Sequence, residues 1–164
     1  MHSEPIHTQE LASIHWQPEQ KIHRASLAEG GKLLLWGIRH MVSAAEKDQC
    51  VDPRLEQVFY QSGTPESLVA LHDTLLTIAS GAKREIVVGA SSLAFLTDDE
   101  RLLLWPIAQL QRQPDTCACH SVKELCVHNA VHKVVAQMGI LAHMLLIKQL
   151  MIINPVAPQS RLLH

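Results

Sequence analysis

The sequence predicts an all-α fold: a single-domain, irregular bundle of five to seven helices with a long buried C-terminal helix over about residues 121–153. Apolar residues recur at three- and four-residue steps in several segments, which is the spacing of one helix face. Helix-start signals, a capping residue followed by a proline or an acid, open several of these segments. One short stretch, Ile86–Val88, has the β-branched character of a strand, and a single strand has no partner to pair with.

The composition indicates one ordinary globular domain, because 47% of the 164 residues are hydrophobic and 18% are charged. Its 14 basic and 16 acidic residues leave a net charge of −2. A near-neutral chain lacks the broad basic field of nucleic-acid-binding proteins, so we expect no nucleic-acid partner. The N-terminus lacks the pattern of a secretory signal. We therefore expect a cytoplasmic protein whose four cysteines are reduced thiols rather than a disulfide framework.

The first segment, residues 1–17, is polar and predicts a weakly structured arm ahead of a helical domain over residues 18–153. Pro18 suits the first position of a helix. Residues 18–47 predict either one long helix or two. The choice depends on Gly30–Gly31, which either breaks the helix or lets a neighbouring segment approach closely.

The middle of the chain repeats one kind of helix start. Asp52–Pro53 and Thr64–Pro65–Glu66 each predict a helix that begins with a capping residue and a proline. Gly63 and Gly81 are expected to end the two helices. Residues 84–96 combine a glycine, two serines and a short β-branched run, and they predict a loop with at most a turn of helix.

A capping box, Thr97 to Glu100, predicts the start of the next helix, and its acidic residues suit the helix dipole. Pro106 falls inside this helix and is expected to kink it. Pro114 is expected to end it.

The final helix is predicted to begin at Ser121, with Glu124 as its capping partner, and to stop at Asn154–Pro155. Apolar residues surround it on nearly all sides, which predicts burial on most of its surface. Residues 154–164 then form a C-terminal tail. Part of the helix, Val134–Ile153, has the length of a membrane span, roughly 20 residues. Because it contains Lys148, we expect a core helix of the protein instead.

A six-residue sequence echo links two helices: LLLWGI at Leu33–Ile38 and LLLWPI at Leu102–Ile107. Either an internal duplication or chance in a leucine-rich chain accounts for it, since the flanks do not match. In both cases Trp36 and Trp105 are predicted to be large core residues or interface anchors.

The eleven histidines and four cysteines raise the alternative of a metal site. His128 and His132 lie four residues apart, a spacing that can present two imidazoles to one ion. His143 lies on the same helical stripe but is too far along the axis to join them, and Gly139 between them is expected to let another helix approach. Soft and borderline ligands of this kind suit zinc or copper. Haem is a further candidate, although the Cys-x-x-Cys-His motif of haem attachment is absent. The candidate ligands are Cys117, Cys119, His120, Cys126, His128 and His132. The competing interpretation is that these residues pack in the core or lie on the surface.

Catalytic motifs are not found: the sequence has no Gly-rich phosphate loop, nucleophile elbow or His-Glu-x-x-His pair. The sequence therefore favours a small non-enzymatic interaction or regulatory protein that works by contact with a protein partner or with itself. Its candidate binding surface contains Trp36, Arg39, His40 and Trp105, with a solvated edge as the competing interpretation for Arg39.

Overall fold

The structure, a computed structural model, describes residues 21–114 and 118–153, and it confirms an all-α single-domain bundle. Two short 3₁₀ turns, Arg24–Ser26 and His128–Ala130, accompany the α-helices. Within the described ranges there is no strand, only isolated antiparallel bridges. The six helices in these ranges are α1 Glu29–Glu46, α2 Arg54–Gln61, α3 Pro65–Gly81, α4 Asp98–Arg112, α5 Cys119–Leu125 and α6 Val131–Ile147.

The two central helices are α3 and α6. Helix α6 packs against α3, α4 and α5, while α3 also contacts α1 and α2, and α1 closes the bundle against α4. Leucine, isoleucine and phenylalanine side chains from all of these helices meet in one core, whose burial supplies the main driving force for folding. Its fully buried members include Leu34, Ile38, Phe59, Leu71, Ile107, Met138, Leu141 and Leu145.

The prediction of one unbroken helix over 121–153 is wrong. Ser121 lies inside α5, whose preceding residue Ala118 makes no side-chain capping bond. The helix then stops, because the backbone on either side of Cys126 pairs with the end of α3. The Lys83 amide donates to the Leu125 carbonyl (3.0 Å), and the Val127 amide donates to the carbonyl of Gly81 (2.8 Å). A tertiary contact therefore interrupts the helix over residues 126–130, where the local sequence allows it to continue.

Helix α6 is also less enclosed than predicted. About a third of the apolar stretch His128–Ile147 is buried, and Ile140 and Ile147 are 50% and 63% exposed. By length and composition alone, this stretch could cross a membrane, the one such helix in the described ranges. The expected close approach at Gly139 is wrong, since a Cβ placed there would meet no atom within 4 Å.

After α6 the chain turns and runs along the N-terminus of α1. Gln149 has a φ of 59°, a left-handed conformation that ends the helix. The amides of Gly30 and Gly31 then donate to the Met151 carbonyl at 3.0 and 3.3 Å. A Cβ on either glycine would lie 2.4 Å from a backbone carbonyl oxygen of this returning segment. Of the two alternatives for this glycine pair, close approach of a neighbour is the one observed.

A buried amide side chain holds the other side of the returning segment. The Gln111 side chain donates to the Leu150 carbonyl (2.9 Å) and accepts from the Ile152 amide (3.0 Å). The Ile152 side chain is fully buried. The end of the described chain is thus fastened between α1 and α4.

Most predicted helix boundaries are confirmed to within a residue or two. Helix α3 begins at Pro65, and the predicted capping box at Thr97–Glu100 is present with both of its hydrogen bonds. Gly63 follows α2 with a φ of 76°. Helix α4 continues through Pro106. Residues 84–96 contain no helix, as expected of a loop.

The prediction of helix over residues 18–47 is wrong for the described part before Glu29. There Arg24–Ser26 forms a single 3₁₀ turn and His23 bridges to Phe95. Pro18, the arm 1–17 and the tail 154–164 lie outside the described residues.

Candidate functional site

Two aromatic rings on one face of α1 form the centre of the candidate site. Trp36 and His40 lie one helical turn apart and their rings are in contact, tilted by 40° with their centroids 4.4 Å apart. The Nδ1 atom of His40 is 2.8 Å from the Trp36 carbonyl oxygen. Because a carbonyl only accepts, this contact places the hydrogen of the neutral imidazole on Nδ1 and leaves Nε2 for an outside partner. Both residues are half-buried, as expected for residues at the edge of a binding surface.

Arg39 does not lie on the surface, and both interpretations made from the sequence place it wrongly. Its side chain is only 3% exposed. Its guanidinium group binds the carboxylate of Glu100 through Nε (2.8 Å) and Nη2 (2.9 Å). It also donates to the carbonyls of Leu93 (2.6 Å) and Phe95 (2.9 Å). Arg39 therefore supports the site from below, by holding the loop 84–96 against α1.

Glu100 is the centre of this buried polar network. Besides Arg39, its carboxylate accepts from the amides of Gly89 (2.9 Å) and Thr97 (2.8 Å). Burial by itself raises the pKa of the Glu100 carboxyl, but the hydrogen bonds from Arg39 and the two amides outweigh it, and the pKa is lowered overall. The capping box identified Glu100 as a helix-start residue. Its role as the partner of Arg39 could not be found, because the two residues are 61 positions apart.

The neighbouring acid fastens the other end of the same loop. Asp99 is 6% exposed and binds Arg84 through two hydrogen bonds of 2.9 and 2.7 Å. It also accepts from the Val87 amide (2.8 Å). The hydrogen bonds from Arg84 lower the pKa of the Asp99 carboxyl. Two consecutive acids at the start of α4 thus give the loop a defined shape without regular secondary structure.

The described residues form two grooves that flank Trp36. The first has a volume of ≈ 370 Å³, and its lining includes Arg24, Lys32, Trp36 and Ser91. Buried Leu35 and Arg39 form its floor. The second, of ≈ 720 Å³, lies toward α2 and shares Lys32 and Trp36 with the first. We refer to the first as the Trp36 groove.

The lining of the Trp36 groove is apolar and cationic. Its charged groups are Arg24, Lys32 and Arg39, with His40 beside them, and no aspartate or glutamate of the described residues lines it. Arg39 is neutralised by Glu100 and Lys32 contacts Glu29 (3.2 Å). The Arg24 guanidinium donates to the Ser91 carbonyl (2.9 Å), and no carboxylate lies in salt-bridge distance among the residues described. Among the described residues, a net positive charge therefore remains at the rim.

Trp105, the fourth residue of the predicted binding surface, does not join this site. It lies on α4, is half-buried and lines neither of the two grooves beside Trp36. The structure thus brings Trp36 and His40 together over Arg39 and leaves Trp105 elsewhere.

The predicted metal ligands are dispersed. In the described part of the chain, no group of three or more His, Cys, Asp or Glu side chains could hold an ion. His120, His128 and His132 are exposed on three successive elements, α5, the 3₁₀ turn and α6. Cys117 lies outside the described residues.

The two described cysteines of this set are buried, and they differ in state. Cys119 is disulfide-bonded, which corrects the expectation that all four cysteines are thiols. Cys126 is a free thiol at the break between α5 and the 3₁₀ turn. Burial raises its pKa, partly opposed by the charge of Lys83, so the thiolate form that binds metals is disfavoured.

Comparison with known proteins provides no relative: no protein family, no curated protein and no solved structure matches this chain significantly. The chemistry of its surfaces is therefore the basis for any functional assignment.

Proposed function

We propose that this chain is a non-enzymatic interaction protein that acts by self-association through a face formed by α3 and α6. Four exposed apolar side chains support the proposal. Val69 and Leu76 on α3 are 63% and 54% exposed, and Ile140 and Ile147 on α6 are 50% and 63% exposed. In each helix the two residues are seven positions apart, so they lie on one stripe of the surface, as in helices that pack against a partner helix.

At one end of the helix pair, the stripe on α3 and the stripe on α6 lie on the same side of the molecule. Helices α3 and α6 pack together. A Cβ on Gly81, at the end of α3, would lie 2.4 Å from the Cβ of Ala130, just before α6. The helices therefore run in opposite directions. Leu76 and Lys133 line one shared groove there, together with exposed Val127. We call the surface made by the exposed stripes the α3/α6 face.

The charges of the α3/α6 face favour a second copy of the chain as its partner. Helix α3 carries exposed Glu66 and Asp73 and no lysine or arginine. Helix α6 carries exposed Lys133 and no aspartate or glutamate. A two-fold arrangement that places α3 of one copy on α6 of the other brings opposite charges together twice. The two apolar stripes, in each of which the exposed residues are seven positions apart, would then pack in the centre of the interface, with the charged residues at its rim.

The decisive observation is the exposure of Ile140 on the central helix, and it sets the experiment. Sedimentation velocity over a range of concentrations should show a species of twice 18.3 kDa. The variant Ile140→Glu should shift the equilibrium to monomer, because it places a carboxylate opposite the acidic α3 of the other copy. The control Val87→Glu changes an apolar residue of similar exposure (58%) in the loop and should leave the dimer intact.

Charge-reversal variants distinguish this specific interface from non-specific association of exposed apolar surface. Asp73→Lys should weaken the dimer, and combining it with Lys133→Glu in the same chain should restore association. A wild-type protein that stays monomeric at every concentration refutes the proposal. A dimer that is indifferent to Ile140→Glu refutes the assignment to this face.

A further inference from the structure

We infer that the Trp36 groove is a binding site for a small organic anion with a flat apolar body, such as an aryl carboxylate. This inference does not depend on the proposed self-association, because the groove is lined by the 3₁₀ turn Arg24–Ser26, α1 and the loop 84–96 and not by the α3/α6 face. Its volume of ≈ 370 Å³ falls within the range of small-ligand sites, roughly 300–1,000 Å³.

The apolar part of the ligand is specified by Trp36 and Leu35. The indole is held against the imidazole of His40 at 4.4 Å between centroids, so its orientation is restrained before any ligand arrives. Leu35 is buried and lies at the bottom of the groove. A rigid ring surface next to an aliphatic floor favours a flat apolar group, which stacks or packs there at little cost in conformational entropy.

The charged part of the ligand is specified by Arg24 and Lys32 at the rim. Arg24 already donates one hydrogen bond to the Ser91 carbonyl, which holds the guanidinium in position and leaves its other N–H groups for an anion. With no carboxylate of the described residues among the groove lining, an incoming carboxylate meets only cationic and neutral groups. A carboxylate matches the planar fork of arginine and can bind it through two hydrogen bonds.

The loop that supplies Ser91 is itself restrained. Arg39 binds the carbonyls of Leu93 and Phe95, and Glu100 binds the amide of Gly89. The wall of the groove opposite Trp36 is therefore built before binding, as in ligand sites that are largely pre-formed.

The test compares three probes of one shape: 2-naphthoate, the neutral 2-naphthamide and the cationic 2-naphthylmethylamine. Isothermal titration calorimetry should give saturable 1:1 binding of naphthoate, at least about tenfold weaker binding of the amide, and weaker binding still of the amine. In ¹H–¹⁵N spectra, naphthoate should shift the indole N–H of Trp36 and leave that of Trp105 in place.

Two variants locate the site. Arg24→Gln should weaken naphthoate binding by about tenfold or more and leave the amide unaffected, because the lost interaction is charge-assisted. The matched control Lys123→Gln removes one exposed positive charge from α5, away from the groove, and should leave both affinities unchanged. Since Arg24 is exposed, the fold should tolerate the change, and an unaltered circular dichroism spectrum checks this.

Equal affinity for naphthoate and naphthamide, or naphthoate shifts confined to residues outside the groove, overturns the inference. An absence of naphthoate binding also overturns the inference. If naphthoate does not bind but an acidic aromatic peptide such as Asp-Trp-Glu-Leu shifts the Trp36 indole resonance, the groove is a peptide site instead.

Discussion

Replacing Glu100 with glutamine removes the negative charge of a buried ion pair while keeping the size of the side chain. Glu100 is fully buried and its partner Arg39 is 3% exposed. Each carboxylate oxygen accepts two hydrogen bonds, one from Arg39 and one from a backbone amide. Glutamine keeps one of these oxygens and turns an NH₂ group toward the donors of the other. Two hydrogen bonds are lost, and the guanidinium remains buried without a counter-charge.

The expected loss is about 3–5 kcal/mol in the free energy of unfolding, the range for breaking a buried pair on one side. This is a large part of the roughly 5–15 kcal/mol that stabilises a domain. Urea unfolding followed by tryptophan fluorescence measures it. Hydrogen exchange should also show faster exchange of the amides of Gly89 and Thr97, which donate to the carboxylate.

A double-mutant cycle identifies the cause. Arg39→Met with Glu100→Gln should lose clearly less than the sum of the two single variants, because no unpaired charge stays buried. The control Asp52→Asn alters an exposed pair with Arg54, and the unfolding midpoint should barely move. A loss below about 1 kcal/mol for Glu100→Gln would show that water reaches the pair, and the reasoning from burial would then be wrong.

Three further predictions concern pH, helix glycines and the returning segment. The pKa of the Glu100 carboxyl is lowered in the folded state, so the unfolded chain binds more protons. The ionised carboxylate therefore stabilises the fold above about pH 4, and this stabilisation is lost as the pH falls through the folded-state pKa. Unfolding curves between about pH 3 and 7 should show a smaller pH dependence in Glu100→Gln than in the wild type. Gly139→Ala should raise the free energy of unfolding by about 0.5–1 kcal/mol, because the space around Gly139 is open. Gly81→Ala should lower the free energy of unfolding, because the new methyl would lie 2.4 Å from the Cβ of Ala130. Equal effects of the two variants on urea unfolding would contradict this difference in packing. Gln111→Leu should cost about 1–3 kcal/mol by leaving two backbone groups of the returning segment unpaired, and unchanged stability would mean that this segment is not fastened there.

The helix starts were predictable because their signals act within one turn. The Thr97–Glu100 box pairs backbone N–H groups at the start of α4, and the proline at the start of α3 has no N–H group to leave unpaired. All of the groups involved lie within a few residues of each other in the sequence. Gly63 is similar, because its left-handed φ of 76° is a local property that glycine tolerates best.

The candidate site was only partly predictable. The sequence places Trp36 and His40 close together on one predicted helix, and in the structure their rings do meet. Trp105 is predicted to be a core residue or an interface anchor because it is a large aromatic residue, but residue type does not place two side chains on one surface. The sequence predicts Arg39 at a surface edge, because arginine is usually exposed. Its burial depends on the counter-charge of Glu100, 61 residues away, which nothing near Arg39 in the sequence reveals.

What the sequence alone determined is the all-α class, the starts of most helices and the apolar residues available to the core, since each depends on hydrogen bonds and periodicity within a few turns. The tertiary structure decided where the last helix is interrupted, which side of α6 stays exposed, and that Arg39 lies beneath the Trp36 groove. These features depend on pairing between segments tens of residues apart, such as the backbone beside Cys126 with the end of α3. Such contacts form only when the chain has folded around one core, and they override local helix preference because a buried backbone or charged group without a partner costs more than a lost helical turn.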